Sequence, residues 1–223
     1  MLRVWSLCPA LPRSNKGERM IKEFNVVIAG IGGQGSITLA YVLAQAAFLK
    51  GYDVKTSELH GLAQRYGSVP CHVRFGEKIY SSVIMEGEAN LVIGLEPLEA
   101  VRACYYGSQE NKTIFVIDTK RIFPLSVQVC KEPYPSLSKI EKILRRFGEK
   151  VFAVNASEAV RKLTGSFVAS NVYLLGFCSA KKLIPIEREF ILEGMRKVLS
   201  EKLFDLNKKV FEEGEKEGLY GKG

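Results

Sequence analysis

A chain of 223 residues is long enough for one large α/β domain and somewhat short for two. With 47% of its residues apolar and 25% charged it has the composition of a soluble globular protein, and no stretch reaches the roughly 20 apolar residues of a membrane span. The net charge of +8 is spread along the chain, without a basic run interleaved with aromatics, which argues against nucleic acid as a partner.

In the first nineteen residues Arg3, Arg13, Lys16 and Arg19 stand against Glu18, a net +3, which leaves +5 for the remainder. The segment Val4 to Leu11 is too short and too broken by proline for a secretory signal, and no small-residue cleavage site follows it. Met20 then leads directly into the first strand, so residues 1–19 read as an upstream extension and residues 20–223 as one domain. The cysteines Cys8, Cys71, Cys104, Cys130 and Cys178 are odd in number, widely separated and without a Cys-x-x-Cys pair. That spacing fits buried thiols in a reducing cytoplasm and excludes a cluster or disulfide framework of known pattern.

The chain is organised around Asn25-Val-Val-Ile-Ala-Gly30-Ile-Gly32-Gly33-Gln34-Gly35-Ser36. Its β-branched run predicts a strand buried on both faces, and the charge-free segment from Ile37 to Leu49 predicts a helix. Gly30, Gly32 and Gly35 therefore fit Gly-x-Gly-x-x-Gly at a strand-to-helix turn, where a phosphate can meet the first amides of the helix. An equally good reading is a loop kept slim so that something else packs on it. The helix from about Gln34 to Lys50 is apolar around nearly its whole circumference, so its outer face is expected to be covered, by C-terminal helices or by another subunit.

A second strand follows, ending at Glu58, the place where a nicotinamide-binding domain carries its ribose-binding acid. Instead of a helix, the chain then continues through His60 to Ser68 into an alternating strand from Val69 to Phe75, a turn at residues 76–78 and an expected return strand through Ile79 and Tyr80. The resulting fold class is α/β: a Rossmann-like doubly wound sheet interrupted by a β-hairpin, with C-terminal helices. The doubly wound pattern resumes with a strand at residues 90–95, a helix from Glu96 to Tyr106 opened by Pro97, and a strand from Thr113 to Asp118. A short strand is expected at Val127 to Val129, a helix capped by Ser136, a strand from Val151 to Val154, and a helix capped by Asn155 with Glu158 completing a capping box. Helices at residues 169–181 and 187–200 and a last one ending near Gly218 close the chain.

Chemistry has few places to sit. No Gly-x-Ser-x-Gly elbow, P-loop lysine or His-x-x-x-His spacing is present. His72, in an alternating strand, reads as a satisfied side chain. The most polar concentration is Ser57, Glu58 and the stretch from His60 to Ser68, where Gly61 and Gly67 flank Gln64 and Arg65. The functional reading places His60, Gln64 and Arg65 on a ligand or partner beside the glycine turn; the structural one pairs Glu58 with Arg65.

Gly30-Ile-Gly-Gly-Gln-Gly35, the stretches from Ser57 to Ser68, His72 to Gly76 and Leu95 to Ala100, Tyr134-Pro135, Asn171 to Gly176 and Asn207 to Gly214 together resemble the gamma module of the 2-oxoacid:ferredoxin oxidoreductases, over essentially everything from Met20 onward. Leu59, where that family commonly has Thr, and Tyr66, where Gly is frequent, depart from it. The resemblance is strongest to the branch acting on aryl 2-oxoacids such as indolepyruvate. It implies oxidative decarboxylation to an acyl-coenzyme A, two electrons passed to ferredoxin, and a larger alpha subunit holding thiamine diphosphate and 4Fe-4S clusters. It further implies that Gly30, Gly32, Gly33, Gln34, Gly35, Ser57, Glu58, His60, Gln64 and Arg65 form the face nearest the alpha subunit's active site and help to receive the coenzyme A phosphates, with no catalytic or metal-binding residue on this chain. A gamma subunit for pyruvate, 2-oxoglutarate or branched-chain oxoacids, or a stand-alone dinucleotide-binding protein, are the alternatives at this point. Mass spectrometry of the protein from its native source is expected to find no peptide from residues 1–15; recovery of one refutes the reading of Met20 as the start.

Overall fold

The computed structural model describes residues 21–59, 67–123 and 133–221. Strands β1 (Glu23–Ile31), β2 (Asp53–Glu58), β3 (Ser68–Gly76), β4 (Leu91–Gly94), β5 (Ile114–Asp118) and β6 (Lys150–Val154) form one sheet in the order β2-β3-β1-β4-β5-β6. The pairs β1–β4, β4–β5 and β5–β6 are parallel, whereas β3 runs antiparallel to both of its neighbours, β1 and β2. The helices are α1 (Ser36–Leu49), α2 (Pro97–Arg102), α3 (Leu137–Leu144), α4 (Ala156–Thr164), α5 (Ser170–Ala180), α6 (Arg188–Val198) and α7 (Glu201–Tyr220). Among the described residues none of them is long and apolar enough to cross a membrane.

Alternation along β1 divides the core. Val26 and Ile28 face α1, α5 and α6, while Val27 and Ala29 face α2, α3 and the segment of residues 77–90. Both faces being buried, β1 needs the unbroken apolar run that it has. The all-round apolar surface of α1 is covered by α6: Gly194 lies so close that a Cβ on it would stand 2.7 Å from the Val42 carbonyl. Lys50, at the end of α1, adds an ion pair with Glu187 at 2.5 Å. Of the two covers expected for this helix, the C-terminal helices supply one.

The return strand expected at Ile79 and Tyr80 does not form. Because β3 already lies between β1 and β2, its backbone groups are engaged on both sides and no edge is left for a hairpin partner. The interruption of the doubly wound sheet is instead the antiparallel β2–β3 pair. Residues 77–90 cross the sheet as an irregular strap whose backbone is held by side chains from beneath. Asp53 accepts from the Ile79 amide at 2.8 Å, Ser57 donates to Ser82 O at 3.0 Å, and His72 Nδ1 accepts from the Ile84 amide at 3.0 Å. Arg74, buried and paired with Glu23, donates to Val83 O at 2.7 Å and Ser81 O at 3.2 Å. An irregular segment over a sheet leaves its polar groups unpaired unless the sheet provides such partners.

Other boundaries differ in detail. The helix expected to reach Tyr106 stops at Arg102 and continues as a 3-10 turn, Cys104–Tyr106. Asn155 does not cap α4: it lies outside the extended region that a cap requires, and its carboxamide takes the Thr119 hydroxyl. Asp118, at the end of the neighbouring strand, reaches the free amide and hydroxyl of Ser157, and Glu158 turns to Arg161, so the capping box is not made. Ser136 does cap α3, accepting from the Lys139 amide. The strand expected at Val127 to Val129, and residues 1–19, lie outside the described residues.

Helices α5 and α7 cross at Gly176 and Gly214, where a Cβ on either would enter the partner's backbone at Phe211 O or Tyr173 O. Gly176→Ala and Gly214→Ala are each expected to lower stability by about 1–3 kcal/mol, read by urea unfolding. Burial, with a smaller effect of Arg74, lowers the His72 pKa to about 4. The unfolded chain therefore binds a proton that the fold refuses between pH 6.5 and about 4, so stability present above pH 6.5 drains away as the pH falls through that window. His72→Asn, which keeps an acceptor for the Ile84 amide, is expected to flatten the stability profile there; an unchanged slope refutes this account.

Candidate functional site

Strands β1, β4, β5 and β6 end at one edge of the sheet, with Ala29, Gly94, Ile117 and Ala153 level across it. After β1 the chain passes to one face as α1, and after β4 to the other as α2. The strand order therefore switches direction between β1 and β4, and the crevice at such a point is where open α/β sheets take ligands.

The glycine turn stands at this switch. Gly33 and Gly35 adopt φ of +101° and +79°, left-handed values open to glycine. Gly33 is exposed with open space where a side chain would be, whereas a Cβ on Gly30 would lie 2.6 Å from Ser36 Oγ and one on Gly35 2.6 Å from Asn171 Nδ2. The two outer glycines permit close packing, and the middle one faces outward.

Gln34 folds back into the turn. Its Oε1 accepts from the Ile31 amide and its Nε2 donates to the Leu95 carbonyl, both at 2.8 Å, so one side chain ties the end of β1 to the end of β4. The Gln34 amide donates to Ile31 O at 3.1 Å, the Gly32 amide to Gly67 O at 2.8 Å, and Asn171 Nδ2 to Gly35 O at 3.1 Å. Among the described residues no acceptor reaches the Gly33 or Gly35 amide. Helix α1 begins with neither a side-chain cap nor an acid in its first turn, so among the described residues its positive end is uncompensated. Ser36 Oγ is buried and has no hydrogen-bond partner among the described residues. Such a set of donors is chemically suited to an anion.

The predicted site residues divide into three groups. Gly30, Gly32, Gly33, Gln34 and Gly35 are together in the turn. Ser57 is buried on the opposite face, bonded to Ser82, and Glu58 pairs across β3 with Cys71, which in turn pairs with Ile28 of β1. Two strand spacings, about 10 Å, separate Glu58 from β1, and the structure does not bring it to the turn as a ribose-binding acid. His60, Gln64 and Arg65 lie outside the described residues; Gly67 O accepts from the Gly32 amide.

Sequence reasoning missed three contributors. Leu95 receives Gln34, and Asn171 holds Gly35; both lie in stretches quoted for the resemblance. Glu96, buried beside them, caps α2 through the Leu98 and Glu99 amides and accepts from Tyr134 Oη and, at 3.3 Å, from the Ile122 amide. Burial raises its pKa while these bonds oppose the rise. An acid directly before a proline at a helix start was the available signal for it.

Exposed apolar side chains gather at the same edge: Leu59 beyond β2, Phe123 beyond β5, and Phe167 and Val168 just before α5, with Val168 76% exposed. Among the described residues no group of three or more His, Cys, Asp or Glu side chains is placed to hold a metal ion. Cys71, Cys104 and Cys178 are separately buried, and burial raises the Cys71 thiol to about 12. A groove of about 1080 Å³ lies at the far ends of α5 and α7, lined by Ile184, Arg188, Leu219 and Tyr220, away from the turn.

Residues 25–217 match the model of the pyruvate ferredoxin/flavodoxin oxidoreductase family. The chain is 39% identical to an indolepyruvate oxidoreductase subunit, IorB, of Archaeoglobus fulgidus, with 89% of this chain and 96% of that one covered. It is 37% identical to the corresponding subunit of Thermococcus kodakarensis, over 88% and 96% of the two chains. The gamma subunit of a keto/oxoacid ferredoxin oxidoreductase from Geobacter sulfurreducens shares the fold, with a TM-score of 0.62 at 18% identity over 88% of this chain and 98% of that one.

Proposed function

This chain belongs to the pyruvate ferredoxin/flavodoxin oxidoreductase family, and we propose that it acts there as the beta subunit of an indolepyruvate ferredoxin oxidoreductase. The observation that carries this reading is the extent of the likeness: identities of 37% and 39% to chains of which it covers 96%. The complex removes carbon dioxide from an aryl 2-oxoacid, joins the acyl group to the thiol of coenzyme A, and passes the two electrons released to ferredoxin. Thiamine diphosphate and the 4Fe-4S clusters are assigned to a larger alpha subunit. The residues described here fit that division, since scattered thiols held protonated by burial are a poor set for a cluster.

This chain contributes a wall of the reaction chamber. The amides of Gly33 and Gly35, with the uncapped start of α1, receive a phosphate of coenzyme A, and Ser36 Oγ is a buried hydroxyl beside them. The family resemblance assigns His60, Gln64 and Arg65 to the same face; they lie outside the described residues. Ser57 is left out of this surface, being committed to the strap. The exposed apolar side chains Leu59, Phe123, Phe167 and Val168 meet the alpha subunit, where their burial supplies a dry contact. No general acid, base or nucleophile is assigned to this chain, and its part is binding and positioning.

Two measurements test the reading. Arylpyruvate oxidation is expected only when the chain is assembled with its alpha subunit; turnover by the isolated chain overturns it. In the assembled complex, Gly33→Val places a branched side chain over the outward-facing amides. It is expected to raise KM for coenzyme A about tenfold or more, a loss of about 1.4 kcal/mol, with kcat and KM for the oxoacid little changed. Gly33→Ala is expected to act in the same direction and less.

A further inference from the structure

The five consecutive amides at the glycine turn are not equivalent. Three of them, those of Ile31, Gly32 and Gln34, already have acceptors, and the Ile31 acceptor is the Gln34 carboxamide. Gln34 Oε1 and Ser36 Oγ lie 3.2 Å and 2.6 Å from one point, the place a Cβ on Gly30 would occupy. Around that point are an amide N–H and a buried hydroxyl without a partner among the described residues, a pair of donors suited to an oxyanion. A neutral carboxamide oxygen of the chain itself stands there instead. The other end of the same carboxamide is bonded to Leu95 O and bridges the crevice between β1 and β4.

We propose that Gln34 determines the ligand specificity of the turn, filling its inner half as a built-in substitute for an anion and leaving only the outer rim, Gly33 to Ser36, open to phosphate. A dinucleotide bound at such a turn runs into the switch-point crevice on either side of its pyrophosphate, and that course is closed by the link from Gln34 to Leu95. A ligand whose phosphates lie along the surface needs only the rim. The inference deepens the reading of the turn as the coenzyme A face and rests on it for the identity of the rim ligand: the motif Gly-x-Gly-x-x-Gly is kept, and its dinucleotide mode is blocked from within.

The test uses the assembled complex and inorganic pyrophosphate as the probe. Gln34→Ala removes the carboxamide, and Gln34→Asn draws it back by one methylene, out of reach of Leu95. Each opens the space beside the Ile31 amide and the unpartnered Ser36 hydroxyl to a phosphate oxygen. Calorimetric titration is expected to show pyrophosphate bound about tenfold more tightly by the Gln34→Ala complex than by the unsubstituted one, the worth of about one charge-assisted hydrogen bond, with Gln34→Asn between them. ADP-ribose is expected to leave the unsubstituted complex uninhibited and to compete with coenzyme A in the Gln34→Ala complex. Equal pyrophosphate affinities, or competition by ADP-ribose in the unsubstituted complex, overturn the proposal. The latter measurement needs no variant to assemble. The pyrophosphate comparison makes no reference to coenzyme A, so an unchanged coenzyme A KM in Gly33→Val would remove the rim ligand while leaving the role of Gln34 to be decided by the titration.

Discussion

The insertion of β3 between β1 and β2, antiparallel to both, is the constraint from which the remaining arrangement follows. A parallel doubly wound sheet would set β2 directly beside β1 and bring its terminal acid to the glycine turn. With one strand interposed, Glu58 is carried two spacings away, and the position next to Ile31 is taken by Ser68, with Gly67 bonded to Gly32. One antiparallel strand thus carries the acid away from the turn and puts Gly67 and Ser68 against it instead. The insertion also leaves β3 no free edge, so residues 77–90 cross the sheet without pairing to it.

Buried polar groups are used here to hold irregular backbone. Asp53, Ser57, His72 and Arg74 reach up from the sheet to the strap, while Glu96 and Asp118 stand at strand ends and satisfy the first amides of α2 and α4. Each of these side chains would be costly in an apolar core without its partner. Each instead replaces a backbone hydrogen bond that the local chain path cannot supply. The perturbed titration of His72 and Glu96 therefore reports structure and is not a sign of acid–base catalysis.

At the start of α1, by contrast, donors are left without protein partners among the described residues. The helix has no cap and no acidic first turn, Gly33 faces outward, and Ser36 keeps a buried hydroxyl free of any partner among the described residues. Such a surface is what the proposed role of binding and positioning requires. The exposed apolar side chains around it have the character of a surface completed by another chain.

Periodicity and composition were sufficient for β1, the glycine turn, α1, the strands at β4, β5 and β6 and the C-terminal helices, because a strand buried on both faces and a helix buried all round leave their mark in the apolar pattern of their own residues. The family resemblance came separately, from several motifs in a fixed order. Strand order was decided only in three dimensions: no local pattern says that β3 will lie between β1 and β2, since the same alternating residues serve an edge hairpin or an inserted strand. The cap on α4 was misread for a related reason, Asp118 being 39 residues away from Ser157 in the chain and in contact with it in space. The site divides the same way. Its glycines were legible because a left-handed turn demands them, whereas the inward fold of Gln34, its bond to Leu95 and the grip of Asn171 on Gly35 join segments distant in sequence, and only the packing of the helices on the sheet brings them together.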